Sequence, residues 1–215
     1  NTPQGLKEWF WRGCTLKSLP LYLETFSVTT AIMQTEEALE RVAYEAVLDW
    51  RAENVVYGEI RFAPILHTAS LTMDQAVQAV LNGMVRGSRE TGVAFGVILC
   101  AMRNQSPGIS LEVAKLAVAY RDRGVVGFDL AGEEAGYPPE KHIEAFEFIR
   151  RKNFNITIHA GEAFGLESIW QALQVCGAQR IGHGTKIVDD MSLDGLRIEK
   201  MGDLTHFILD KRVPM

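Results

Sequence analysis

Residues 157–165 read TIHAGEAFG. The β-branched apolar run before His159 has the composition of a buried strand. That strand ends in an imidazole, and the carboxylate of Glu162 follows three residues later in a turn bounded by Gly161 and Gly165. A neutral imidazole is a good zinc ligand, and an unligated glutamate nearby can carry protons for the water such a metal activates. The plainer alternative is a histidine satisfied at a strand end and a glutamate on a solvated loop. A second strand-end histidine, His183 in RIGHGT (180–185), stands between Gly182 and Gly184, which let another group approach closely. Neighbouring strands lie about 4.8 Å apart, so two such strand ends can share one ligand. Asp129, in GFDLAGEE (127–134), sits inside an apolar run where an unpaired carboxylate is costly; it needs a partner, structural or catalytic. His67, His142 and His206 lack such company. His142 falls in a helix pattern and is expected to be exposed, and none of the three is assigned a role.

The elements that must position these groups alternate along the chain. VVYGEIRFAP (55–64) reads as a strand stopped by Pro64. Residues 72–92 read as a helix, with Thr72 and Gln75 at capping-box spacing, Gly92 as its stop, and an apolar face of Ala76, Val77, Val80, Leu81, Met84 and Val85. Strand 93–101, helix 110–124, strand 125–130, helix 139–153, strand 156–160, helix 167–177, strand 180–184 and a helix near 193–211 follow. Residues 5–52 read as helices ahead of them. Such alternation means a parallel sheet with helical crossovers. An open doubly wound sheet and a (β/α)8 barrel both fit the pattern. No G-x-G-x-x-G follows the first strand, so a dinucleotide fold has no direct support. Polar residues gather just past the strands: Arg61 and His67, Arg103 and Asn104, Asp129 with Glu133 and Glu134, His159 and Glu162, then His183. In a (β/α)8 TIM barrel those ends converge on one mouth. Five complete strands and the start of a sixth are visible, so the expectation is a barrel incomplete in this chain. Residues 1–215 read as a single partial TIM-barrel domain, with 1–52 an N-terminal helical, lid-like region.

The bulk composition narrows the partners. The 215 residues carry 22 Lys and Arg against 27 Asp and Glu, a net charge of −5, which gives no electrostatic reason to bind nucleic acid. No apolar run is long enough to span a membrane, and no signal peptide is expected. Cys14, Cys100 and Cys176 are scattered and odd in number, and read as buried, reduced thiols in a cytoplasmic protein.

EIRFAP, GFDLAGEE, TIHAGEAFG and RIGHGT, in this order, together with SLPLYLETF near the start, resemble the adenosine deaminase family of metal-dependent amidohydrolase barrels. The resemblance runs from about Leu19 to Gly184. It implies zinc-dependent hydrolytic deamination of adenosine or 2′-deoxyadenosine, with one Zn2+ per complete protein and a purine nucleoside as small-molecule partner. It further implies that His159 is a metal ligand, that Glu162 protonates the purine ring nitrogen, and that His183 orients and helps deprotonate the attacking water. Gly132 would offer backbone to the base, and Asp129 would have a structural part in the same motif. Leu19, Tyr22, Leu23 and Phe26 match an apolar lid over the base; their spacing also places them on one helical face, where plain core packing is the rival reading.

Two family features are missing. The family's first strand carries a His-x-His pair, and its last an Asp-Asp pair; neither is found at the corresponding place here. Asp189–Asp190 follows TKIV too soon to be that last strand and reads as a loop. His159 is then the one implied protein ligand of four, and the 215 residues by themselves are expected to be inactive. A deaminase of adenine or another 6-aminopurine derivative, and a truncated barrel that binds without catalysing, stay open as alternatives. A cytidine-deaminase type of zinc site does not, because it needs a Cys-x-x-Cys that the sequence lacks. The oligomeric state is not fixed by the sequence.

Overall fold

The computed structural model describes residues 2–215; Asn1, the first residue of the expected domain and of its helical region, lies outside the described residues. The chain forms two compact units. The first contains the chain up to Leu99 together with Ala119–Val126, and the second contains Cys100–Val118 and Gly127–Met215.

The first unit opens with helices α1 (Pro3–Thr15), α2 (Leu19–Leu23), α3 (Phe26–Ala31) and α4 (Glu36–Ala52). Each start has a local cause. The Thr2 hydroxyl accepts from Gly5 N ahead of Pro3, and the Thr35 hydroxyl accepts from Ala38 N ahead of Glu36 and Glu37. Strand β1 (Tyr57–Phe62) pairs in parallel with β2 (Ala94–Met102), in register from Tyr57↔Ala94 to Phe62↔Leu99. The crossover between them is α5 (Met73–Thr91), which carries the expected Thr72–Gln75 capping box and ends at Gly92 in the left-handed conformation. Ala76, Val77, Val80, Leu81 and Met84 are buried as expected, and Val85 is half-buried. Helices α4 and α5 pack closely: a Cβ added at Gly83 would stand 2.2 Å from Glu40 O, and one at Gly87 would stand 2.7 Å from Val47 Cβ. Burying side chains such as Val47 and Met84 contributes roughly 1.5–3 kcal/mol each on folding.

The second unit begins within β2 and continues through α6 (Pro107–Ala119) and β3 (Val125–Ala131), both of which have one end in the first unit. Phe128 in β3 forms a parallel bridge with Ile156, just ahead of β4 (Thr157–Ala160). Strand β4 pairs in parallel with β5 (Arg180–His183), in register from Thr157↔Arg180 to Ala160↔His183. Helix α7 (Ile143–Arg151) buries Ala145, Phe146 and Ile149, and Phe146 meets Phe128 edge to face at 5.5 Å. Helix α8 (Leu166–Trp170) runs on into a π-helical turn, Gln171–Val175. The sheets are ordered β1-β2-β3 and β4-β5, with β1 parallel to β2 and β4 parallel to β5. The architecture is α/β, and no closed barrel is present among the described residues.

Several expectations need correction. Residues 193–211 are not one helix. Strands β6 (Met191–Asp194) and β7 (Arg197–Met201) form an antiparallel hairpin, and only α9 (Asp203–Lys211) is helical. The two-residue loop is Gly195-Leu196, closed by the Asp194–Arg197 pair; Gly195, at φ 59°, supplies the positive φ that a tight hairpin needs at its first central position, and this overrides the helical periodicity. Residues 185–190 form a 3-10 helix rather than an irregular loop. There the Asp190 carboxylate accepts from Thr205 N and Thr205 Oγ1 at 2.7 and 2.8 Å, which ties α9 down. Cys14 is exposed, whereas Cys100 and Cys176 are buried. Leu19, Tyr22, Leu23 and Phe26 do not share one helix: the chain breaks at Glu24–Thr25 between α2 and α3. Tyr22 and Phe26 still meet, edge to face at 5.5 Å, and both are exposed within their unit. No helix among the described residues is long and apolar enough to cross a membrane.

Candidate active site

The C-terminal ends of β4 and β5 bring three of the singled-out side chains together, and β3 adds a fourth behind them, all within the second unit. His159 on β4 and His183 at the end of β5 have ring centroids 5.3 Å apart. His183 Nε2 lies 3.6 Å from Glu162 Oε2. Parallel register explains the meeting, because Ala160 opposes His183 and so sets the two strand ends level.

His183 has φ 72°, in the left-handed region that is rare for a residue with a side chain. Strain of this kind persists where the surroundings fix it, and such positions cluster at functional sites. The side chain is about two-fifths exposed, and that of Glu162 about one-third.

His159 is held from behind. Its Nδ1 lies 2.9 Å from Oδ2 of Asp129, a fully buried carboxylate on β3. The Cys100 thiol also donates to Asp129 Oδ2 at 3.4 Å. The costly carboxylate of the apolar run thus has its partners, and the pairing directs His159 Nε2 away from Asp129. A carboxylate behind an imidazole is how proteins fix the ring of a metal-binding histidine.

Below this layer lies Arg103, 2 % exposed. It donates from Nη1 to Tyr137 O at 2.5 Å and from Nη2 to His159 O at 2.7 Å. Burial pushes its pKa down, while the negative charges of Glu134 and Asp129 favour the cation.

The turn after β4 is clasped by Glu134. Its Oε1 accepts from Gly161 N at 2.5 Å, and its Oε2 accepts from the N–H groups of Glu162, Ala163 and Phe164 at 3.0, 2.8 and 2.9 Å. Burial raises the Glu134 pKa, but the Ser168 hydroxyl and the turn's N–H groups outweigh it and hold the carboxyl below its ordinary value. The turn itself demands glycine at 161. Its φ is 71°, and an added Cβ would stand 2.5 Å from Ile169 Cδ1.

Gly132, just past β3, also has a positive φ of 99°. The expectation for His142 fails. It is buried, with Nδ1 2.8 Å from Ser110 Oγ and Nε2 3.2 Å from Arg103 O, because a 3-10 turn over Pro139–His142 directs it inward. His67, in the first unit, is also buried, with Nδ1 2.8 Å from Met33 O.

For a metal ion, His159 fits as one ligand: its ring is fixed and its Nε2 is turned from the buried carboxylate. Among the described residues no group of three or more His, Cys, Asp or Glu side chains is arranged to hold an ion. The described residues therefore do not furnish a complete ligand set.

A family profile described as adenosine deaminase matches residues 1–214. This chain belongs to the adenosine deaminase family. It is 50 % identical over 216 residues to adenosine deaminase 1 of Streptomyces coelicolor, covering 98 % of this chain and 54 % of that protein. Among solved structures, an amidohydrolase from Burkholderia ambifaria with bound Zn is similar at 26 % identity and TM-score 0.75, over 79 % of this chain and 48 % of that one. Adenine deaminase from Arthrobacter aurescens shares the fold at 24 % identity and TM-score 0.79, over 91 % of this chain and 57 % of its own. The chain thus spans a little over half the length of the curated relative.

Arg103 and Glu134 escaped assignment from sequence. Both were visible only as polar residues past a strand end; nothing in residue type or spacing says that one clasps the turn of the other strand.

Proposed function

We propose that this chain carries the acid–base part of the active centre of a hydrolytic deaminase. The reaction takes adenosine or 2′-deoxyadenosine and water to inosine or 2′-deoxyinosine and ammonia. The observation that supports the reading most is the convergence of His159, Glu162 and His183, with His159 fixed by Asp129. Half-identity to an adenosine deaminase over nearly the whole chain supports the substrate.

In this reading Glu162 donates a proton to the purine ring nitrogen, which makes the amino-bearing carbon a better electrophile. His183, next to Glu162, orients the attacking water and takes up its proton. Asp129 keeps the His159 ring turned so that Nε2 faces the ligand. Gly132 offers its backbone to the base, and Leu19, Tyr22, Leu23 and Phe26 are read as the apolar lid residues that the family resemblance implies. Residues 1–52 are read as the lid-bearing part of a single (β/α)8 domain.

His159 would hold Zn2+, one per chain in the complete protein, which fits the zinc-bound relative. When bound, the ion lowers the pKa of water and supplies the nucleophile. Two buried free thiols, Cys100 and Cys176, suit a reducing compartment, and the protein is placed in the cytoplasm on that reading.

Deamination of adenine or another 6-aminopurine is the second reading, favoured by the likeness to the Arthrobacter adenine deaminase. The test is an ultraviolet assay of the intact protein with adenosine and adenine in parallel, beside metal analysis. Turnover of adenosine well above adenine is expected. The reverse ranking would install the second reading. No turnover of either by metal-loaded protein would leave a barrel that only binds.

A further inference from the structure

We infer that Glu134 is a positioning residue for proton transfer: its buried carboxylate fixes the backbone of residues 161–164 and so aims Glu162. The inference rests on the reading of Glu162 as the proton donor.

Four consecutive N–H groups, Gly161 to Phe164, all donate to this one carboxylate, which is 4 % exposed. A carboxylate is the side chain suited to this, because its two oxygens offer about four acceptor positions and no donor. The opposite side of the same segment is tied as well. Gly161 O accepts from Thr185 Oγ1 at 2.8 Å and from Lys186 N at 2.9 Å, and Ala160 O accepts from Gly184 N at 2.9 Å. The carbonyls of the turn are thus fastened to the segment that follows His183, and its N–H groups are fastened to Glu134.

These two sets of bonds make one frame. The segment after β5 carries His183, and the clasped turn carries Glu162, whose carboxylate stands 3.6 Å from His183 Nε2. Glu162 has no side-chain hydrogen bond within normal distance to hold its own orientation among the described contacts, so its direction comes from the backbone beneath it. A neutral side chain at 134 cannot reproduce the clasp. Glutamine keeps one oxygen. If that oxygen takes the place of Oε2, three bonds persist and the amide NH2 faces Gly161 N–H, donor against donor. Aspartate keeps the charge but is one methylene short. Alanine leaves all four N–H groups without their partner.

The experiment uses the intact protein with Glu134→Gln, Glu134→Asp and Glu134→Ala. It reads kcat and KM for adenosine per folded molecule, and amide hydrogen exchange at residues 161–164. A displacement of about 1 Å in a reacting group can cost 10²-fold, so kcat is expected to fall roughly 10- to 100-fold in Glu134→Gln, with KM within a few-fold, and further in Glu134→Ala. Exchange at 161–164 should rise in both, and Glu134→Asp should recover part of each loss. Unchanged exchange would overturn the clasp. Faster exchange with wild-type kcat would overturn its role in catalysis. If Glu134→Ala does not fold, the near-isosteric Glu134→Gln decides. A wild-type protein inactive on adenosine would fail the deaminase reading instead, and the exchange data would still judge the clasp.

Discussion

Two carboxylate–imidazole pairs lie side by side past the strand ends, and they are built differently. Asp129 and His159 are 2.9 Å apart, with the carboxylate fully buried. Glu162 and His183 are 3.6 Å apart, and both side chains are partly exposed. The first pair sits on strands, where flanking residues such as Phe128, Leu130 and Ile158 are fully buried and fix the geometry. The second pair sits on a turn and on a residue with left-handed backbone. Groups that hold a shape are buried and bonded; groups that trade protons with a ligand must stay reachable and keep an open valence. Under the proposed function, the difference between the pairs separates orientation from chemistry, even though both are a carboxylate beside an imidazole.

That separation breaks first, and by the widest margin, at the exposed pair. Glu162→Gln keeps the size and the turn but removes the proton. In the intact protein it should cut adenosine turnover by roughly 10²- to 10⁴-fold while zinc content stays near wild type. Near-wild-type turnover would sink the assignment. His183→Ala should likewise lower kcat more than it raises KM, because the task proposed for it belongs to the transition state; a change in KM alone would contradict this.

The buried pair should fail in another way. Asp129→Asn can no longer accept strongly from the ring of His159, the proposed metal ligand, and replacing such partners behind a ligand costs about 10- to 100-fold in metal affinity. Competition with a chelator measures this directly. Turnover at saturating zinc should recover much of the loss, which Glu162→Gln cannot do. If added zinc rescues both variants or neither, the division between the pairs is wrong.

How much of this was readable beforehand depends on the range of the interaction. Helix α5 was legible to its caps, because Thr72, Gln75 and Gly92 act within a few residues of one another. His159, Glu162 and His183 were legible because strand-end position plus parallel pairing brings such residues level. The hairpin at 191–201 was missed because a two-residue turn, Gly195-Leu196, outweighed a helix-like spacing. Glu134 was beyond reach: its partners are 27 to 30 residues away and are backbone groups, which carry no mark in the sequence. His142 was misread for a similar reason. Its acceptor and donor lie on Arg103 and Ser110, 39 and 32 residues distant, and no local pattern announces them.

A smaller effect sharpens the contrast at His183. Left-handed backbone at a residue with a Cβ costs about 1–2 kcal/mol, and glycine avoids most of that cost at some expense in chain entropy. His183→Gly and His183→Ala should therefore lose turnover alike, yet the Gly variant should be the more stable by about 1 kcal/mol. Urea unfolding of the two variants compares them without reference to the wild type. An Ala variant as stable as the Gly variant would mean that the backbone relaxes on losing the ring.

The smallest effect concerns a third imidazole, one that neither orients a ligand nor faces one. Both nitrogens of His142 are taken, by Ser110 and by the Arg103 carbonyl. Burial lowers its pKa below the ordinary 6.5; the bond to Arg103 O works against that shift, and the charges of Arg103 and Lys141 add to it. The folded protein therefore keeps His142 neutral at a pH where the unfolded chain has begun to protonate it. Protons then bind more to the unfolded state, and stability falls as pH drops below 6.5 towards the lowered folded value, with no contribution above that window. Burial lowers the pKa of His67 as well, so it acts in the same direction. The slope of unfolding free energy against pH should thus be positive just below pH 6.5, and His142→Gln should reduce it by up to about one proton's worth. A slope unchanged by that substitution would mean that His142 takes up its proton in the folded state after all, and that its two bonds do not hold it neutral.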